Sequence, residues 1–207
     1  MIHWKNNNIA LFHIPRTGGI SAKVFFNSLF GHGKIIKTEY LKFHEPLYKK
    51  RNLLTPEVFD SINVISNIRN PFEYLISLYS YTQHTISEYR MKLFYKKEIV
   101  DLILSLDFHE FVYWYVENGL SFKDYLFIDG KLLDNVFINK LETFFKDVVN
   151  TLVKLNFKPN LITATYGIHN ESDRNKYSCH YTNEMVDKVH TKFKWAFENY
   201  YKKEIRG

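Results

Sequence analysis

Arg16, Thr17, Gly18, Gly19, Ile20 and Ser21 stand between two segments of opposite character. Before them, Ile9 to Ile14 is an apolar run of strand length, ended by Pro15, which has no N–H for a sheet ladder. After them, Ala22, Phe25, Phe26, Leu29 and Phe30 recur at helical spacing. A glycine turn that opens a helix presents amides without intrahelical acceptors and the positive end of the helix dipole. Two glycines let the backbone close around a phosphate. Arg16 adds a full positive charge, and Thr17 and Ser21 add hydroxyl donors. The chemistry on offer is the binding of an anion such as phosphate or sulfate. The same residues also spell an ordinary strand-to-helix turn with a surface arginine, and on this stretch alone the two readings stand level.

A second group repeats the arrangement. Ile62 to Ile68 reads as a buried strand and ends at Arg69-Asn70-Pro71. Asn70 can cap a following helix and Pro71 can take its first position. Phe72, Leu75, Ile76 and Tyr79 give that helix a buried stripe. Ser77, seven residues after Asn70, returns to the same azimuth within about 20°. An arginine and a hydroxyl reaching toward one face make a phosphate grip. The capped strand–helix junction holds in either case.

HIPRTGGIS resembles the HIPKTGGTS loop of the carbohydrate sulfotransferases related to the heparan and chondroitin enzymes. NIRNPFEYLISLYSY resembles that family's second signature, RNPxxRxxSxY, and the two follow in the right order about fifty residues apart. The resemblance implies that Arg16, Thr17, Gly18, Gly19, Ile20 and Ser21 hold the 5′-phosphosulfate of 3′-phosphoadenosine 5′-phosphosulfate (PAPS), and that Arg69 and Ser77 hold its 3′-phosphate. It implies His44 as the base that takes the acceptor's proton, imidazole having a suitable pKa, with Glu45 as the second choice. It makes Arg16 catalytic as well as ligand-binding. His169 to Arg174, with Tyr177 and Tyr181, is similar to the family's late HxNxSxR pattern and makes Arg174 a further 3′-phosphate contact. Leu141-Glu142 resembles the family's strand–helix junction, with Glu142 structural. Three positions depart: Arg16 replaces the usual lysine, as in the tyrosylprotein sulfotransferases; Ile20 replaces a threonine; and Tyr74 replaces the middle arginine of the second signature.

The elements that must position these residues alternate. Strands and helices follow one another, so the expected fold is α/β, with a mostly parallel central sheet flanked by helices. The resemblance makes it the P-loop-like sulfotransferase fold, as a single domain over 1–207. Lys34 to Lys37 reads as a short strand, and Thr55-Pro56-Glu57 as a helix start. Residues 82–120 read as helical, with Ile99, Leu102, Ile103 and Leu106 on one stripe and Phe108, Phe111, Val112, Tyr115 and Val116 on another. Val136 to Asn139 reads as a strand. The helix after it turns Phe145, Val148, Val149, Leu152 and Leu155 inward. A last helix spans about Asn183 to Tyr201, with Met185, Val189, Phe193, Ala196 and Tyr200 on one face.

Composition bounds the partners. A formal charge of +6 suits an anionic ligand, although surplus lysine can equally be a solvated surface, as Lys49-Lys50-Arg51 is expected to be. A single cysteine allows no disulfide within the chain. MIHWKNNN has no secretory apolar core and no run approaches membrane-spanning length, so a cytoplasmic protein without membrane insertion is expected. No nucleic-acid motif accompanies the charge, and no metal-ligand spacing is present. The expected activity is transfer of a sulfuryl group from PAPS, without a metal, to a hydroxyl on a small molecule or glycan. Two alternatives stay open. One is a P-loop kinase, which lacks its GxxxxGK[ST] here; the other is an inactive binder of an anionic nucleotide or sugar.

Overall fold

The computed structural model describes residues 1–35, 45–84, 97–158 and 180–202. The strands are β1 (Ile2–Trp4), β2 (Ile9–Phe12), β3 (Lys34–Ile35), β4 (Asn63–Ile68) and β5 (Val136–Lys140). The helices are α1 (Gly19–Phe30), α2 (Leu47–Leu54), α3 (Pro56–Asp60), α4 (Pro71–His84), α5 (Lys97–Ser105), α6 (Phe108–Asn118), α7 (Phe122–Leu126), α8 (Phe144–Lys154), α9 (Asn183–Lys192) and α10 (Lys194–Tyr200). The chain forms two compact units, one of residues 1–69 and 124–171, the other of residues 70–123 and 172–207.

The first unit is built on a sheet of order β3-β1-β2-β4-β5. β2, β4 and β5 run parallel, while β1 pairs antiparallel with both β2 and β3. The fold is thus α/β with helices flanking a mixed sheet, where sequence predicts a mostly parallel one. The parallel half consists of the three segments that apolar runs mark. The antiparallel half exists because the chain reverses over Lys5–Asn7 and closes at Asn8, whose φ of 52° is left-handed and whose N–H reaches the Lys5 carbonyl at 3.2 Å. A three-residue β1 carries too little pattern to announce itself.

Leu11, Ile65 and Phe137 form one row across the parallel strands. On that row pack Ala22, Phe25 and Phe26 of α1 and Phe144, Val148 and Leu152 of α8. Burying each large side chain stabilises the fold by roughly 1.5–3 kcal/mol. Leu29 and Phe30 pack at the margin. In α8, Val148 and Leu152 are buried and Val149 and Leu155 pack at the margin, as expected, but the first inward residue is Phe144, 4% exposed, and not Phe145, 43% exposed. Asp147 ties the start of α8 to the end of β5, its carboxylate accepting from the Lys140 N–H at 3.0 Å and the Thr143 hydroxyl at 2.7 Å. The basic cluster expected at the surface is partly buried too. Lys50 lies inside, 3.8 Å from Glu45, and Arg51 makes a two-pronged contact with Asp60 at 3.2 and 3.0 Å.

The second unit is helical with an aromatic interior. Asn70 caps α4 as expected, its side-chain oxygen accepting from the Phe72 N–H at 3.0 Å. The expected 82–120 stretch divides at Asp107, which forms a capping box with Glu110 at the start of α6. Within α5 the buried residues are Val100 and Ile103, whereas Ile99 and Leu102 face outward. The last helix also divides, at Phe193, and Thr182 caps its first half. Among the described residues, no helix is long and apolar enough to cross a membrane.

Tyr74 sits in this interior, 1% exposed, with its ring against Phe122 and Phe193. Its hydroxyl lies 3.0 Å from that of Tyr115, which in turn donates to the Leu120 carbonyl at 2.8 Å. Tyr74 is therefore the donor of the pair. Tyr74→Phe removes one buried hydrogen bond and is expected to cost about 1 kcal/mol in a urea melt, with nucleotide affinity unchanged.

His190 in the same unit stacks on Phe197, with ring centres 4.1 Å apart, and meets Phe72 edge-on. Burial holds its pKa below the ordinary imidazole value, and Asp187 offsets this only in part. The unfolded chain therefore takes up a proton that the folded chain resists, so stability falls as pH drops through about 6.5 toward the lowered folded value. His190→Phe is expected to flatten that slope in melting temperature against pH.

Candidate functional site

The glycine turn is built as the sequence predicts, with added detail. Ile14 is fully buried, and so is Thr17, whose hydroxyl donates to the Ile14 carbonyl at 2.9 Å. In this structure that proton is directed into the turn. Arg16 and Gly18 both take left-handed conformations, at φ 60° and 77°. For glycine this is free of strain, whereas for arginine it costs roughly 1–2 kcal/mol. Strain of that kind gathers where a loop must hold a ligand. Ala22 makes the first intrahelical bond, to the Gly18 carbonyl at 3.0 Å. The amides of Gly19, Ile20 and Ser21 therefore have no acceptor within α1. Ile20 is 77% exposed, so the position where the resembled family has a hydroxyl carries an apolar side chain in water. Arg16 and Ser21 are half-buried.

Two side chains fix the glycines. A Cβ on Gly18 would overlap Leu141 Cδ1, and a Cβ on Gly19 would overlap the His13 ring at Cδ2, Nε2 and Cγ. Gly18 is thus required by conformation and contact together, and Gly19 by contact alone. Neither His13 nor Leu141 is assigned a role by sequence reasoning. The signal for His13 is its place at the end of the apolar run, one residue beyond β2; Leu141 gives none.

The second signature arginine ends the neighbouring strand. β2 pairs with β4 and β4 with β5, all parallel, so the three carboxyl ends lie on one side of the sheet. The glycine turn follows β2, half-buried Arg69 follows β4, and Leu141-Glu142 follows β5 on a short 3-10 turn. Two arginines thus stand after adjacent parallel strands, the end of an α/β sheet where ligands bind.

The remaining expectations are distributed differently. Ser77 is half-buried on α4 in the second unit. Tyr74 is a core residue there, so the family's middle arginine has no charged counterpart at this position. Glu45 lies 3.5 Å from Lys49 and 3.8 Å from Lys50, an ion-paired carboxylate. His44 and Arg174 lie outside the described residues. Among the described residues, no group of His, Cys, Asp or Glu could hold a metal ion.

No protein-family model matches the chain, and no curated protein matches it significantly. The chemistry of the site is therefore that of its own residues. A left-handed turn, three amides at a helix start, and two arginines after adjacent strands suit a ligand carrying more than one anionic group.

Proposed function

We propose that the chain binds PAPS and transfers its sulfuryl group to a hydroxyl, on a small molecule or glycan, in a P-loop-like sulfotransferase fold. The observation that carries this reading is the placement of Arg16 and Arg69 after neighbouring parallel strands, each within one of the two resembled signatures. In this reading the amides of Gly19, Ile20 and Ser21 take the 5′-phosphosulfate. Arg16 steadies the negative charge that builds on the leaving oxygen. Arg69 takes the 3′-phosphate, with Ser77 as its second donor, and Arg174 as a further contact. His44 takes the proton of the attacking hydroxyl.

Sulfuryl transfer resembles phosphoryl transfer in having an in-line displacement with charge spread over the equatorial oxygens. Catalysis is then mostly positioning and preorganised charge, which a rigid turn under strain is suited to supply. The S–O bond to the 5′-phosphate breaks as the bond to the acceptor oxygen forms, leaving 3′,5′-adenosine bisphosphate.

The test is transfer of radiolabelled sulfate from PAPS to a panel of sugars and simple alcohols. Labelled product that depends on enzyme and acceptor supports the reading. Nucleotide binding with neither transfer to any acceptor nor release of free sulfate favours a second reading as an inactive nucleotide binder. Two observations favour that alternative: the inward hydroxyl of Thr17 and the apolar side chain at Ile20.

A further inference from the structure

Near the carboxyl ends of the parallel strands, the sheet face under α1 and α8 changes from apolar to polar in one step. Leu11, Ile65 and Phe137 form the apolar row. Two residues on, Asn67 stands beside Asn139 in register. Continuing the β2 register one residue past Phe12 and Ser66 places His13 on the other side of Asn67. The period of two puts all three on the face covered by α1 and α8. Two contacts agree: the Thr151 hydroxyl of α8 donates to Asn139 Oδ1 at 2.9 Å, and the His13 ring lies against Gly19 at the start of α1.

Asn67 and Asn139 are 2% and 1% exposed. Among the described residues, neither amide atom of Asn67 has a hydrogen-bond partner, nor has Asn139 Nδ2. Unpaired amide atoms closed off from solvent destabilise a fold. Rules of core packing are broken in this way chiefly at functional sites. A water molecule is the ligand whose chemistry matches, because buried waters make two to four hydrogen bonds to groups that otherwise have none.

We propose that Asn67 and Asn139 are positioning residues for the anion loop. They hold a buried water that braces His13, and His13 in turn seats Gly19, the first amide of the cradle. The water and the brace stand on this geometry alone, and only their effect on ligand affinity rests on the nucleotide-binding reading.

The test compares the wild-type chain with Asn67→Val/Asn139→Val in a crystal structure, in the backbone resonances of Gly18 to Ser21, and in affinity for 3′,5′-adenosine bisphosphate. The wild type is expected to show an ordered water within hydrogen-bonding distance of both asparagines. The variant is expected to lose it. Its loop resonances and the His13 ring should shift, and affinity should fall about tenfold, the lower end of what outer hydrogen-bond partners do to the groups they orient. A direct amide-to-amide bond with no water overturns the proposal. So does a variant whose loop resonances do not move. If the wild type binds no bisphosphate, the nucleotide reading fails, and the crystal and resonance comparisons still decide the brace.

Discussion

An Arg16→Ala variant is expected to lose about 10²–10³ in turnover of PAPS, the usual effect of removing one preorganised donor from a developing negative charge. Arg16 holds a left-handed backbone at φ 60°. Arg16→Gly is expected to lose turnover to the same degree and yet to melt above Arg16→Ala, because glycine adopts this conformation without the steric cost that alanine carries, about 1 kcal/mol. Initial rates and urea melts of the two variants separate charge from backbone. Full turnover in either would show that the guanidinium takes no part in the chemistry. Equal melting of the two would show that the strain at this position is released elsewhere in the loop.

Gly19→Ala should have the second large effect. The added Cβ would overlap the His13 ring, so either the ring or the start of α1 must move. Overpacking of this kind costs about 1–3 kcal/mol. In the proposed reading the displaced amides of Gly19, Ile20 and Ser21 face the ligand, so affinity for 3′,5′-adenosine bisphosphate is expected to fall below detection. Adding His13→Ala removes the obstacle and should recover much of the lost stability. A double-mutant cycle in urea reads the coupling directly, because the two residues are in contact. Wild-type affinity in the single variant would contradict the packing described for Gly19.

Strand–turn–helix order at both signatures was legible in the sequence because each piece has a strong local cause. Apolar runs mark β2 and β4, Asn70 and Pro71 open α4, and Ala22, Phe25 and Phe26 recur with helical period. What escaped has causes that do not lie in local pattern. β1 is short, and its pairing depends on a reversal at Asn8. The inward stripe of α8 differs from expectation only at its first residue, where Phe144 and not Phe145 is buried. The commitment of the Thr17 hydroxyl to Ile14 is a matter of which way one rotamer turns. The place of Leu141 against Gly18 appears only when segments distant in sequence are brought together. Tyr74 marks the limit of resemblance: a position that carries an arginine in the second signature is here filled by the aromatic interior of a helical unit.

The most direct measurement is thermal unfolding of the wild-type chain with 3′,5′-adenosine bisphosphate, with 5′-AMP, and with ATP and magnesium. A ligand at about a hundred times its dissociation constant adds roughly 2.7 kcal/mol, which for a chain of this size is a rise of roughly 5–10 °C. The account predicts that rise with the bisphosphate and little with 5′-AMP, because Arg69 and its partners read the 3′-phosphate. A rise with ATP and magnesium alone, or with none of the three, would contradict it.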